Sequence, residues 1–322
     1  MRKQFLFSAI LLLLSLLVSL GAAEVLLRIK NANGQNYDIE MWRYAKELKV
    51  RSPNPMLGHE HVPSASAVLQ NVSIRTNTYG LRGADVTPKT ADRRILLLGS
   101  SITLGWGVPE DKVLSSLLDA EFRADGSKVE VLNAGIGNYN AERYVERFLT
   151  KLADLQPTDI VVHYFLRDAE TLAPGGGPWI LEHSQLAVTL WTVYNRLFGQ
   201  TGESSLTDWY AKVYDPQSPG YVAMLKALAR LRDYAAAHNV RVYLAMQPDV
   251  HNLVNYPFSY IHQRMQENAK SLGFIYVDLL PGFSGLKPET IWAMPGDPHP
   301  NALGHKIIAD MLYPVLKNPA AR

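Results

Sequence analysis

The chain has 322 residues, 47% of them hydrophobic, a formal net charge of +2 and no cysteine. A near-neutral balance without blocks of like charge excludes a charge-driven nucleic-acid partner. The lack of cysteine excludes disulfides, thiolate metal sites and a cysteine nucleophile, and the length suffices for one large core or two smaller ones.

Met1-Arg2-Lys3 is a short basic start, and Phe5 to Leu20 is apolar apart from Ser8, Ser15 and Ser19. Gly21-Ala22-Ala23 offers small residues to a signal peptidase. Adding Val25, Leu26 and Leu27 brings the segment near the ~20 residues of a spanning helix. Residues 1–23 are therefore a signal peptide or a membrane anchor, with attachment to the membrane through residues 4–23. Glu24 interrupts the apolar run and favours cleavage, whereas the helical pattern from Glu24 to Ile29 favours an anchor. In both cases Arg2 and Lys3 stay inside. The body of the chain is then exported, either periplasmic or held outside the cytoplasmic membrane.

Residues 24–92 read as a lead-in segment that packs on a main domain. A short helix is expected from Ile39 to Leu48, followed by loop around Pro53-Asn54-Pro55. On a strand, His59 and His61 would share a face and could bind a metal. Metal sites need three or four ligands, so plain surface polarity is the expectation. Val68 to Thr78 alternates like a strand, and Tyr79-Gly80-Leu81-Arg82-Gly83 turns the chain.

From Arg93 onward strands alternate with helices. Strands are expected at Ile95–Leu98, Val129–Leu132, Ile160–Phe165, Val240–Met246 and Phe274–Val277. Helices are expected at Lys112–Phe122, Ala141–Leu155, Tyr221–Ala237, Tyr260–Leu272 and Ala302–Leu316. This alternation predicts an α/β fold with a five-stranded parallel sheet covered on both faces. Residues 168–219 break the pattern. Pro174-Gly175-Gly176-Gly177-Pro178 is a flexible break, and Leu186 to Phe198 is an apolar, aromatic helix. The segment reads as an insertion in a main domain of residues 93–322, with its apolar face a lid, a substrate wall or a membrane-facing surface, or simply packed on the core.

The strand Ile95–Leu98 stops at Gly99 and is followed by Ser100, Ser101 and then Gly105 and Gly107. A fully apolar strand ending in Gly and hydroxyl residues suits the carboxyl edge of a parallel sheet, where open α/β folds place their chemistry. Near the other end, Asp297-Pro298-His299-Pro300-Asn301 precedes the last helix. An Asp two residues before a His can accept from one imidazole nitrogen and leave the other to act as base. With Ser101 these residues complete the parts that activate a hydroxyl nucleophile.

Gly99-Ser100-Ser101-Ile102-Thr103 resembles the Gly-Asp-Ser-x-Thr block of the SGNH (GDSL-type) hydrolase superfamily. Asn133 to Tyr139, Phe165 to Asp168 and Asp297 to Asn301 resemble its later blocks, in the same order, over about residues 93–318. The resemblance implies a flavodoxin-like three-layer α/β/α sandwich and catalysis by Ser101, His299 and Asp297, with an oxyanion hole at Asn138 and Arg167. Ser100 replaces the family's Asp, and Asn138 replaces its oxyanion Gly while keeping the backbone N–H. Arg167 replaces its oxyanion Asn, and Asp297 stands two rather than three residues before His299. No metal or organic cofactor is implied. The expected substrate is an ester or an acylated carbohydrate, with acetyl on a cell-envelope or extracellular polysaccharide as one case. A polysaccharide O-acetyltransferase using the same triad, and a catalytically weak carbohydrate-binding protein, are the alternatives.

Overall fold

The computed structural model describes residues 2–86, 92–172, 178–198 and 206–318. In chain order the first half holds α1 (Arg2–Asn31), α2 (Tyr37–Glu47), β1 (Lys49–Arg51), β2 (His59–His61), β3 (Ser66–Leu69), β4 (Val72–Arg75), β5 (Arg93–Gly99), α3 (Ser101–Leu104), α4 (Leu114–Ala124), β6 (Val129–Asn133), α5 (Ala141–Arg147) and β7 (Asp159–Tyr164). The second half holds α6 (Trp179–His183), α7 (Gln185–Phe198), α8 (Leu206–Val213), α9 (Pro219–His238), β8 (Arg241–Met246), α10 (Ser259–Leu272), β9 (Ile275–Asp278), β10 (Trp292–Met294), β11 (Asp297–Pro300) and α11 (Ala302–Lys317).

The described residues fall into two units. One takes residues 1–46, 69–71 and 176–203. Its α1 runs 30 residues, and Phe5 to Leu20 keep their apolar side chains exposed. The end of α1 is tied to the start of α7. The Glu24 carboxylate accepts from Ser184 Oγ at 2.9 Å and from the N–H groups of Gln185 and Leu186 at 3.1 and 2.8 Å. Helix starts carry unpaired N–H groups, and a carboxylate there satisfies them. Burial opposes charge on Glu24, but its hydrogen bonds outweigh that and hold the pKa at about 2. Glu24, read in the sequence as an interruption, is thus the cap of another helix. The Gly-rich break over residues 173–177 lies outside the described residues.

The other unit holds a five-stranded parallel sheet in the order β6-β5-β7-β8-β9. Side chains alternate across a strand, and here both faces are covered. Leu96, Leu98, Ile160, Val162, Leu244 and Met246 enter one core with α5, α9 and α10. Ile95, Leu97, Val161, Tyr243 and Ala245 enter a second core with α4 and α11. This is why the central strands read as unbroken apolar runs, and it gives the three-layer α/β/α sandwich. At the sheet's amino edge, Asp159 is fully buried between Arg93 at 3.1 Å and Arg241 at 2.7 Å.

Two expected elements differ. Val68 to Thr78 is not one strand, because Gln70 and Asn71 take φ of 49° and 61° and turn the chain between β3 and β4. The helix from Ala141 to Leu155 holds α-geometry only to Arg147, then passes through a π-turn and a 3-10 turn to Leu155.

Candidate active site

The turn after β5 is built by close approach. A Cβ on Gly99 would lie 2.0 Å from Thr103 Oγ1 and 2.9 Å from the His163 carbonyl, so only glycine lets α3 fold back over the strand end. Ser101 opens α3, and Gly105, at φ 79°, closes it. Thr103 is buried, and its Oγ1 lies 3.2 Å from His163 Nδ1. The Gln247 amide NH₂ donates to the Pro248 carbonyl, so its Oε1 accepts from His163 Nε2, at 3.2 Å. His163 Nδ1 is then the acceptor for the Thr103 hydroxyl. Burial lowers the His163 pKa to about 4 and keeps this ring neutral.

The chain leaving β6 abuts the same turn. Asn133 Nδ2 donates to the Thr103 carbonyl at 2.8 Å, and Asn133 Oδ1 accepts from Gly135 N–H at 3.0 Å. A Cβ on Gly135 would sit 2.2 Å from the Leu104 nitrogen. Asn138 follows with φ 65°, the left-handed conformation that asparagine tolerates better than most residues. The buried Arg82 guanidinium donates to the carbonyls of Leu104, Gly105 and Val108, each at 2.6 Å. Those of Leu104 and Gly105 lie at the carboxyl end of α3, where helical acceptors have no partner of their own.

From the other side, β10 and β11 pair antiparallel and present His299. Asn301 fixes the exit of this hairpin. Its Oδ1 accepts from Leu303 and Gly304 N–H at the start of α11, and its Nδ2 donates to the Thr290 and Trp292 carbonyls. His299 Nε2 lies 2.8 Å from Ser101 Oγ, and His299 Nδ1 lies 2.5 Å from Asp297 Oδ1. Asp297 also accepts from the His299 backbone N–H at 3.2 Å. The Asp297 side chain is fully buried and that of His299 is 15% exposed. A carboxylate at Nδ1 fixes the proton there, which makes Nε2 the acceptor for the serine hydroxyl.

Ser101, His299 and Asp297 are therefore brought together. Asn138 lies on the turn that abuts α3. Arg167 follows β7 in the 3-10 turn Leu166–Ala169; its side chain is 56% exposed and its Nε donates to Glu170 Oε2 at 3.2 Å. The next residue, Asp168, is buried, which pushes its pKa up to about 8, and it accepts from Phe165 N–H at 3.1 Å. His59 and His61 are not surface histidines. His61 is 3% exposed and hydrogen-bonds the Gly80 carbonyl, while His59 is half-buried and hydrogen-bonds the Gly137 carbonyl. The reason is that two glycine-containing turns bring main-chain acceptors into the interior, and buried acceptors need donors.

A model of the GDSL-like lipase/acylhydrolase family matches residues 97–307. The chain belongs to that family. It is an ester-hydrolysing enzyme of the SGNH type. No curated protein matches it. Similar solved structures include TesA, at 16% identity and a TM-score of 0.47, covering 70% of this chain and 98% of that one. They also include the acetylxylan esterase Axe2 from Geobacillus stearothermophilus, at 14% identity and 0.47 over 72% and 97%. A third is the psychrotrophic esterase EstA from Pseudoalteromonas sp., at 16% identity and 0.44 over 70% and 97%.

In this GDSL-like hydrolase the residues that sequence reading missed are supports. Arg82 was visible only as part of a Gly-flanked turn, and its three carbonyl partners lie 22 to 26 residues further on. Arg147 ties the β6 exit to the turn after β4, donating to the carbonyls of Ala134, Tyr79 and Gly80 at 3.0, 3.0 and 3.1 Å. A buried arginine on an apolar helix face is the signal that could have found it.

Proposed function

We propose that the protein is an exported serine esterase that cleaves an ester-linked acyl group through an acyl-enzyme. Ser101 Oγ attacks the carbonyl carbon while His299 Nε2 takes its proton. Asp297, buried against Nδ1, holds the ring and stabilises the imidazolium. The backbone N–H groups of Ser101 and Asn138 receive the oxyanion, and Arg167 is a third candidate donor if it leaves Glu170. His299 then returns the proton to the leaving alcohol, and water attacks the acyl carbon by the reverse of the first step. The observation that carries this reading is the chain of contacts from Ser101 through His299 to Asp297, at 2.8 and 2.5 Å.

Export is the reading supported by the apolar stretch Phe5 to Leu20 of the 30-residue α1, which follows the basic Arg2-Lys3. A short acyl group such as acetyl, carried on an envelope or extracellular polysaccharide, is the proposed substrate. The test is p-nitrophenyl acetate hydrolysis beside Ser101→Ala and His299→Ala. Turnover in the wild type that both variants lose supports the reading, and equal background rates in all three sink it. Acetate release with and without an added glycan then separates hydrolysis from transfer.

A further inference from the structure

The hairpin of β1 and β2 carries two nitrogen donors onto one carbonyl. Its register pairs Lys49 with His61 and Arg51 with His59. Alternation then puts Lys49, His59 and His61 on one face and Val50 and Glu60 on the other. Val50 is 51% exposed, whereas Lys49 is half-buried and its Nζ donates to the Gly137 carbonyl at 2.8 Å. His59 Nε2 reaches the same oxygen at 3.0 Å. The contact is reciprocal, because the Tyr139 hydroxyl donates to the His59 carbonyl at 2.5 Å and the two rings meet edge-on at 5.2 Å. Burial, Lys49 and Arg143 lower the His59 pKa to about 3, so the ring is neutral and its one proton sits on Nε2 to donate. Burial first, then Arg143, lowers the Lys49 pKa to about 7.

The Gly137 carbonyl belongs to the peptide group whose N–H is that of Asn138. In a trans peptide the C=O and N–H point to opposite sides. Two donors holding the oxygen therefore fix the plane and aim the Asn138 N–H the other way. Hydrogen bonds along one polar chain also strengthen one another, because drawing electron density to the oxygen leaves the N–H a better donor. The Asn138 backbone sits at φ 65°, in the left-handed region that asparagine tolerates.

We propose that Lys49 and His59 are positioning residues of the oxyanion hole, orienting and polarising the Gly137–Asn138 peptide so that its N–H donates to the developing oxyanion. This rests on the esterase reading above. The lead-in hairpin, outside the residues matched by the family, thereby completes the site.

The experiment uses the full chain in detergent micelles, with Lys49→Met, His59→Leu and His59→Gln. Gln keeps an amide donor near the place of Nε2. Gly137–Asn138 is the only Gly–Asn step in the chain. Labelling Gly carbonyl carbon and Asn nitrogen therefore leaves a single amide resonance. In Lys49→Met and His59→Leu that amide proton should move upfield as its peptide loses a donor. For p-nitrophenyl acetate, kcat should fall ~10-fold in each at unchanged KM, part of the ~100- to 1,000-fold that deleting an oxyanion donor costs. His59→Gln should stay near wild type in both readouts. An unmoved amide resonance overturns the proposal, and so does a moved resonance with unchanged kcat. If Lys49→Met does not fold, the Leu and Gln pair at His59 decides alone. If the wild type is no faster than Ser101→Ala, the esterase reading has failed, and the amide resonance alone shows whether the hairpin holds this peptide.

Discussion

Replacing Arg82 with Met should loosen the turn that carries Ser101. The guanidinium is buried and holds three carbonyls at 2.6 Å. A hydrogen bond to a charged group contributes about 1.5–3 kcal/mol, so three would sum to more than about 4.5 kcal/mol if they were additive. Removing the buried charge also removes its desolvation cost, which offsets part of the loss. Each buried carbonyl left without a donor costs about 1–3 kcal/mol, so a destabilisation of about 3 kcal/mol or more is expected. Against a total stability of about 5–15 kcal/mol this is a large fraction. Met keeps the apolar stem, so the loss reports the guanidinium rather than a cavity. Arg82→Lys should recover little, because one ammonium cannot span three carbonyls as a planar fork does. The assay is urea unfolding followed by circular dichroism, with p-nitrophenyl acetate turnover on the folded fraction. A shift of Ser101 by 1 Å should cost ~100-fold in kcat. An Arg82→Met protein within about 1 kcal/mol of wild type, less than one such bond is worth, would show that the guanidinium does not hold this turn.

Asn138→Gly should keep full activity, since the donor proposed there is a backbone N–H and glycine adopts φ 65° without strain. Asn138→Val should lose about 1–2 kcal/mol from the left-handed conformation, and its kcat should fall; thermal melts and turnover read the two effects. Asp168 sets a pH dependence. Its folded pKa, raised by burial to about 8 from an ordinary 3.8, means the native state holds a proton that the unfolded chain releases. Its contribution is therefore full below about pH 4 and is lost as pH rises through about 8. Asp168→Asn should flatten the fall in stability between those limits, measured as urea midpoints at stepped pH. An equal slope in both proteins would show that other groups set it.

Much of this molecule was legible before its structure. The central strands β5, β7 and β8 read as apolar runs because each is buried on both faces, and alternation with helices pointed to a parallel sheet. Asp297 and His299 stood out because each sits beside Gly or Pro just ahead of the last helix, and Ser101 because it follows an apolar strand that stops at Gly99. The supports were not legible. Arg82, Lys49 and His59 act through main-chain carbonyls far along the chain, and a carbonyl carries no residue-type signature. The turn at Gln70 and Asn71 was missed because neither residue is glycine, although both adopt positive φ. The extra π-turn over Phe148–Leu152 was missed because its apolar spacing still suits a 3.6-residue period. His61 was misread as polar surface because nothing local predicts a buried carbonyl at Gly80.

The proposed chemistry depends on Ser101 being a nucleophile activated by His299. The most direct measurement is intact-protein mass and peptide mapping after treatment with a fluorophosphonate. The expected result is a single phosphonyl adduct on Ser101 in the wild type, much slower adduct formation in His299→Ala, and none in Ser101→Ala. An adduct on Ser100, or labelling of the wild type no faster than of His299→Ala, would contradict it.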